Sequence, residues 1–379
     1  MSKCILIENF YEPNMLIKLP YLNIDNFHTT FRMKIKSLPL VLIIWFLSNS
    51  CQKCILIEQT ITGPVITCAE KSYINKSIPN TPTIYFSFNE FIKPIPDPFN
   101  ITQLTGPHPI PTAITNIRSN FSAYDSIKKR YVFEYTYIDN AFQIAHIHHY
   151  DVNTNISTFF SQKDNFVSPV FSQGNLYAIR VRVDNFVVNY EVIQIDPLTG
   201  AQISSVSTKT ITVKSPCTAA TMSSVCNGGD LIYFLSGTNL IEVNVSTKTS
   251  RYIDIDPSFN ATNNNVIYLG LEYKRDEGLL LALKNINRVS TLVSIKINPT
   301  PVLTTIFDIA SKFPDIGDRQ INPEFYSTTY DPCDNSYYIS ELHKISAPLS
   351  TYLIEVNLDR KEMKFKEVAE YFYGWEFGR

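Results

Sequence analysis

One unit of two strands and two turns recurs along the chain and constrains the fold more than any other feature. Its tightest copy is NGGDLIYFLSGTNLIEVNVSTKT at residues 227–249. The run LIYFL at 231–235 is β-branched and aromatic, and the Ser-Gly-Thr-Asn that follows tolerates positive φ, which predicts a hairpin. In LIEVN at 240–244 apolar and polar residues alternate, as in a strand with one buried face. Two strands alone are marginally stable in water, so the unit needs neighbours.

Looser copies of this unit give a repeat with a period near 50 residues. Each copy has an Asp or Asn at the end of its third strand, and these anchors are Asp151, Asp196, Asn244, Asn298 and Asn357. Four strands in a repeat of about 40–50 residues are the signature of β-propeller blades. The length of 51–379 therefore predicts an all-β chain that forms a single β-propeller of about six (six or seven) four-stranded blades. Tandem β-sandwiches are the alternative, and the best helix candidate, 305–313, is short.

Two stretches resemble known propeller repeats. Residues 227–249 resemble a kelch unit in their double glycine, tyrosine strand and closing turn, and IQIDPLTG at 193–200 resembles the D-P-x-T-G hairpin of many propellers. The resemblance covers roughly 115–379 and implies a propeller with kelch or quinoprotein-like blades. No family is assigned, because only one copy has Gly-Gly and none has the kelch tryptophan.

The two ends of the repeat region are predicted to close the ring. Residues 51–113 are rich in proline, and within them TIYFSFNEFIK at 83–93 reads as a strand. Residues 114–379 hold the repeats and end in a second strand-like stretch, AEYFYGWEF at 369–377. We expect these two strands to share one blade, because closure removes exposed strand edges.

The N-terminal region predicts secretion. Residues 33–50 (MKIKSLPLVLIIWFLSNS) have the basic start, short apolar run and small residues of a signal peptide. Residues 1–32 then read as an upstream extension, and KCILIE at 3–8 recurs at 53–58, which suggests a local duplication. The protein is expected to be secreted and extracellular. A signal-anchored ectodomain is the alternative if the segment 37–48 stays uncleaved, and only then is a membrane a partner.

Cysteines and glycosylation sequons agree with that compartment. Cleavage after Ser50 leaves an even number of cysteines, which favours disulfides in an oxidising compartment, with Cys217–Cys226 as the first expected pair. The disulfide candidates are Cys51, Cys54, Cys68, Cys217, Cys226 and Cys333. The N-x-S/T sequons, each a candidate glycosylation site, are Asn75, Asn100, Asn120, Asn155, Asn244 and Asn260.

The histidine cluster at 145–149 (AHIHH) is a weak metal candidate. On a strand, His146 and His148 would point to the same side, as metal ligands often do. The repeat anchor, however, aligns His148 with Ile193 and Ile241, which predicts a buried, hydrogen-bonded histidine. No metal site and no cofactor is therefore expected.

Polar residues in the predicted first strands could converge at the central channel of a propeller. These channel candidates are Arg118, Glu272, Lys274, Glu324 and Tyr326. The same pattern also arises when channel-facing residues are simply hydrated. The connections between second and third strands are longer in four copies than in 227–249 and are another place to look for function.

Charge and missing motifs narrow the function. The net charge is −2 and no long Lys/Arg run occurs, so nucleic acid is not an expected partner. No nucleophile elbow, P-loop or dinucleotide fingerprint is present. The sequence favours a secreted, glycosylated binding protein for an extracellular protein or glycan over an enzyme. The alternative is a secreted hydrolase or lyase with its site at the channel mouth, and no catalytic residue is predicted.

Overall fold

The computed structural model of the 379-residue chain describes short N-terminal segments and most of the repeat region. The described residues are 3–4, 56–57, 72–78, 89–91 and 121–378, with gaps at 126, 140–141, 152, 155, 163–165, 185–186, 213–221, 258–265, 287–288, 298–299, 313–325, 345–349 and 369–370. The chain divides into two compact units, residues 1–61 and 62–379. The second unit contains the repeats and all of the sites described below.

In the first unit, the two copies of KCILIE meet. Strand β1 (Lys3–Cys4) lies in the first copy and pairs antiparallel with β2 (Leu56–Ile57) in the second. In the second unit, β3 (Ser72–Ile78) and β4 (Asn89–Phe91) precede the repeats.

Five antiparallel, four-stranded blades follow in chain order. Blade 1 is β5 (Phe121–Asp125), β6 (Arg130–Asp139), β7 (Phe142–Asp151) and β8 (Ile156–Gln162). Blade 2 is β9 (Phe166–Ser172), β10 (Asn175–Asp184), β11 (Val187–Ile195) and β12 (Gln202–Thr212). Blade 3 is β13 (Ser223–Cys226), β14 (Leu231–Ser236), β15 (Asn239–Asn244) and β16 (Thr249–Asp254).

The last two blades have the same strand order. Blade 4 is β17 (Val266–Lys274), β18 (Leu279–Ile286), β19 (Val289–Lys296) and β20 (Val302–Asp308), followed by a 3-10 helix at Ala310–Lys312. Blade 5 is β21 (Tyr326–Asp331), β22 (Ser336–Lys344), β23 (Ser350–Asn357) and β24 (Glu362–Val368). The final strand, β25 (Tyr371–Gly378), joins β3 and β4 in a three-stranded sheet of order β25-β3-β4.

The chain is therefore a single all-β propeller, and the alternative of tandem sandwiches is wrong. The first strands of the five blades and β25 contact one another in a cycle, β5–β9–β13–β17–β21–β25–β5. The expectation of six or seven four-stranded blades is also wrong, because the described residues form five. That expectation counted the whole of 51–379 at about 50 residues per blade. The described part of the proline-rich segment supplies only β3 and β4 to the closing sheet.

The core consists of apolar layers between consecutive blades. Ile232 and Phe234 of β14 face blade 2, whereas Tyr233 and Leu235 face blade 4. These four side chains are buried, so the strand is covered on both faces. This explains why 231–235 is a continuous apolar run rather than an alternating one.

The repeat copy at 227–249 differs from the other copies in the length of its strands rather than in the length of the connection between them. In blade 3, β14 and β15 have six residues each, joined by Gly237-Thr238, and Gly237 has φ +58° as in a type II′ turn. In blade 1, β6 and β7 have ten residues each, with only residues 140–141 between them. The expected long second-to-third-strand connections are thus mostly longer strands.

The best helix candidate of the sequence, 305–313, forms mainly a strand and a short turn in its described residues. Residues up to Asp308 belong to β20, and only Ala310–Lys312 form a 3-10 turn. Pairing of β20 with β19 outweighs the weak helical pattern. Within the described part of the chain, no helix is long and apolar enough to cross a membrane.

Candidate functional site

A buried network of backbone and hydroxyl groups joins blades 4 and 5 around Gly270. The Gly270 N–H donates to Oη of Tyr326 at 3.3 Å, and Oη of Tyr337 donates to the Gly270 carbonyl. Gly270 sits at a bulge of β17 with φ +62°, and a Cβ there would lie 2.5 Å from Cγ2 of Thr328. Only glycine suits this close approach with this backbone conformation.

The electrostatics of this network keep both tyrosines protonated. Burial raises the pKa of Tyr326 to about 12, and burial also raises the pKa of Tyr337, with the negative charge of Glu272 adding to both shifts. Oγ1 of Thr328 donates to Oε1 of Glu272 at 3.0 Å. The tyrosine hydroxyls are bonded to the backbone of Gly270, so the arrangement is suited to holding two blades together.

The structure brings together two of the five channel candidates. Glu272 and Tyr326 both belong to the network around Gly270. Lys274 is buried at the end of β17, and its Nζ lies 2.7 Å from Oε1 of Glu277. Arg118 and Glu324 lie outside the described residues. A shared channel site for all five therefore stays a prediction.

A second polar cluster lies between blades 1 and 2, around Arg130. Its Nη2 donates to the Gly174 carbonyl at 2.8 Å and lies 3.0 Å from Oδ2 of Asp125. Its guanidinium carbon is 5.5 Å from the centre of the Phe171 ring. These contacts tie the first turn of blade 1 to the corresponding turn of blade 2.

His149, on β7, is buried beside this cluster. Its side chain is 2% exposed, and its Nδ1 lies 3.3 Å from Oγ1 of Thr158. Its Nε2 has no hydrogen-bond partner among the described residues. Burial, with a contribution from the positive charge of Arg130, holds the pKa of His149 below its usual value. The imidazole is therefore neutral at pH 7.

The predicted histidine pair falls outside the described side chains. The backbones of His146 and His148 lie on β7, but their side chains are not described, so the predicted burial of His148 stays a prediction. Sequence reasoning singled out His146 and His148 of this cluster and missed His149. Among the described residues, no group of three or more His, Cys, Asp or Glu side chains could hold a metal ion.

The expected Cys217–Cys226 bridge is wrong. Cys226 carries a free thiol, which bonds within its own turn: Sγ accepts the Gly228 N–H at 3.2 Å and donates to the Gly229 carbonyl at 3.4 Å. Burial raises the pKa of this thiol, which disfavours the reactive thiolate. Cys333 lies in the turn after β21, where its N–H donates to Oδ1 of Asp331 at 2.7 Å, and its expected disulfide stays a prediction. The other candidates, Cys51, Cys54, Cys68 and Cys217, lie outside the described residues.

One glycosylation candidate has a described side chain. Asn244 ends β15 and is half-buried, and its Oδ1 accepts the Thr247 N–H at 2.9 Å. Asn75 lies on β3, and its side chain is not described. The remaining sequons, Asn100, Asn120, Asn155 and Asn260, lie outside the described residues.

An open groove lies on blade 2, where its strands extend beyond the apolar core. One face of β10 begins with the buried Ala178 and continues with Arg180 and Arg182 at the two-residue period of a strand. In the sheet, Arg180 stands opposite Glu191 and Arg182 stands opposite Asn189. The groove has a volume of about 240 Å³, and these four side chains are among those that line it.

The groove combines a fixed ion pair with one unpaired arginine. Nη1 of Arg180 lies 2.6 Å from Oε2 of Glu191, so these two charges compensate each other. Arg182 forms no ion pair with any residue that the structure describes. Lys209 lies opposite Tyr190 in the sheet, so its side chain belongs to the other face. Oγ1 of Thr210 donates to Oδ1 of Asn189 at 2.5 Å. This arrangement can offer hydrogen bonds and positive charge to a ligand.

Sequence reasoning missed this groove, although a signal for it exists. The alternation in IRVRV at 179–183 puts both arginines on one face of a strand, where a buried blade face should be apolar. The adjoining strand positions carry Asn189 and Glu191 with the same parity. Recognising the site required the register of three strands, which the repeat pattern did not supply.

Comparison with known proteins yields similarity in fold alone. No protein-family model and no curated protein matches the sequence. TolB from Acinetobacter baumannii is 12% identical, with 81% of this chain and 66% of that chain covered and a TM-score of 0.48. The Dos1 propeller is 11% identical, with coverages of 66% and 62% and a TM-score of 0.39. The β-propeller domain of the Trilobed protease from Pyrococcus furiosus is 11% identical, with coverages of 67% and 72% and a TM-score of 0.35.

Proposed function

We propose that the chain is a secreted, glycosylated β-propeller that binds an extracellular protein or glycan through one face of the ring or its channel mouth. A propeller supports a binding role in general, because loops and strand ends on a rigid scaffold can carry specific contacts. The observation that carries this proposal is the groove on blade 2, where the exposed Arg182 has no ion-pair partner among the described residues.

A binding experiment tests the first part of the proposal. The full chain, produced in a eukaryotic secretion system, is immobilised and exposed to an oligosaccharide array and to purified extracellular matrix proteins. We expect saturable binding of at least one oligosaccharide or protein, without chemical change to it. Failure to bind any member of either set would contradict the binding function, and turnover of a bound sugar would support the hydrolase or lyase alternative instead.

The compartment is tested separately. We expect the secreted material to begin at Cys51 and to lose mass when N-linked glycans are removed enzymatically. Intact and non-reducing mass measurements on the same sample would show whether cysteines other than Cys226 are oxidised. Material that still begins at Met1, or that stays with the membrane fraction, would contradict secretion through cleavage after Ser50.

A further inference from the structure

The groove on blade 2 has the chemistry of a site for an acidic sugar. We propose that it binds a sulfated or uronic-acid carbohydrate, an inference that rests on the proposed binding function and names its ligand class. The groove is small, at about 240 Å³, and lies below the usual range of about 300–1,000 Å³ for sites of drug-sized ligands. A single charged sugar residue of a longer chain suits an open groove of that size.

The positive charge of the groove is placed to receive one anionic group. Arg182 is exposed and has no ion-pair partner in the described part of the chain, so its guanidinium is available to a ligand. The neighbouring charge, on Arg180, is compensated by Glu191 and further held by Oε1 of Gln202 at 3.2 Å. A planar guanidinium at position 182 can bind a carboxylate with two parallel hydrogen bonds and suits other planar or forked oxyanions.

Neutral polar groups next to Arg182 suit the hydroxyls of a sugar. Arg182, Asn189 and Thr210 occupy one rung across β10, β11 and β12. The Thr210 hydroxyl donates to Oδ1 of Asn189, which leaves the Asn189 amide hydrogens to donate elsewhere. Strands about 4.8 Å apart space these groups at a distance comparable to that between substituents of a pyranose ring.

The same chemistry argues against a nucleic acid. Affinity for nucleic acid depends on many Lys and Arg side chains that neutralise successive phosphates. The whole chain carries a net charge of −2, and the groove places a carboxylate, Glu191, between its basic groups. A short acidic carbohydrate with alternating charge and hydroxyl groups fits this pattern better.

Binding of defined oligosaccharides to the full chain tests the proposal. A sulfated hexasaccharide that contains uronic acid, a neutral hexasaccharide and inorganic sulfate are each titrated by calorimetry at two salt concentrations. We expect the acidic hexasaccharide to bind with an affinity that decreases with added salt. The neutral hexasaccharide should bind at least about tenfold more weakly than the acidic one. Binding of sulfate as tight as that of the acidic hexasaccharide would overturn the assignment to a carbohydrate.

Three variants locate the site. Arg182→Gln should weaken binding of the acidic hexasaccharide by about tenfold or more. Asn189→Ala should weaken binding of the same hexasaccharide without changing the binding of sulfate. The matched control is Arg251→Gln, which removes an arginine of blade 3 that is paired with Glu242 outside the groove. Unchanged binding in Arg182→Gln would overturn the proposal.

These outcomes separate this inference from the proposed function. Binding of a neutral sugar or a protein with no preference for the acidic hexasaccharide would overturn the inference and leave the binding function standing. The circular dichroism spectrum of each variant shows whether it is folded. If Arg182→Gln does not fold, Arg182→Lys supplies the test, because it keeps the charge and removes the bidentate geometry.

Discussion

At the scale of single residues, Gly270 lies where the packing of two blades leaves no room for a Cβ atom. We expect Gly270→Ala to destabilise the fold by about 2–5 kcal/mol, because alanine is strained at positive φ and its Cβ would press on Thr328 and Tyr337. Urea unfolding measures the change. The matched control is Gly278→Ala, at φ +63° with its nearest atom 3.8 Å away, which should cost only about 1 kcal/mol. Equal losses in the two variants would contradict the role of close packing.

His149 makes stability depend on pH. Its pKa is lowered in the folded protein, so the folded state holds the neutral imidazole where the unfolded chain, with a pKa of about 6.5, takes up a proton. The protein is therefore most stable, with respect to this group, above about pH 6.5, where the imidazole is neutral in both states. As pH falls toward the folded-state pKa, the unfolded chain gains the proton first, and the free energy of unfolding decreases by at most about 1.4 kcal/mol per pH unit.

Urea unfolding between pH 8 and pH 5 measures this dependence. The variant His149→Gln has no group that titrates in this range at position 149, so its loss of stability toward pH 5 should be smaller than that of the original chain. The difference between the two curves isolates His149 from the other histidines. Parallel curves would show that His149 is not held neutral in the fold.

At the scale of elements, the buried strands of the blades, such as β14, are stabilised by packing against the neighbouring blades. Phe234 of β14 is fully buried and packs against apolar residues of blade 2 such as Val170 and Val188. We expect Phe234→Ala to cost about 3–5 kcal/mol, because it leaves a cavity between two blades. Thermal or urea unfolding measures it.

The control for this prediction lies on an outer strand. Val302 of β20 is 51% exposed, and Val302→Ala should change stability by less than about 0.5 kcal/mol. A small effect at both positions would mean that the layer between blades 2 and 3 is loosely packed. The same layer structure explains why the apolar run at 231–235 has no solvent-facing positions.

At the scale of the whole molecule, β25 closes the cycle of inner strands. It contacts β21 of the last blade and β5 of the first, and it pairs with β3. Deleting residues 371–379 should lower the free energy of unfolding by several kcal/mol and the thermal midpoint by at least about 10 °C. In a domain of about 150–250 residues, each kcal/mol of lost stability lowers the thermal midpoint by about 2–4 °C. Adding a synthetic peptide of 371–379 should restore part of the loss. An unchanged midpoint after the deletion would show that closure adds little stability.

Some features could be read directly from local sequence. The strands of blade 3 and the turn at Gly237 follow from β-branched and aromatic runs bounded by residues that tolerate positive φ. The repeat of such units predicts a propeller, because each unit has apolar faces that only neighbouring units can cover. Blade number was not readable in this way, because the length of 51–379 counts the proline-rich segment as part of the repeats, whereas its described part supplies only β3 and β4 to the closing sheet.

The sequence by itself thus determined the all-β class, the strand and turn positions of the central blade and the ring of repeats, since these depend on interactions within about 50 residues. Only the tertiary structure decided that Cys226 stays a free thiol, that His149 is buried and neutral, and that Arg182 shares a groove with Asn189. Each of these depends on strand register, burial or turn geometry in the folded ring. Residue type alone does not encode which neighbours will surround a thiol, an imidazole or a guanidinium once the blades have packed.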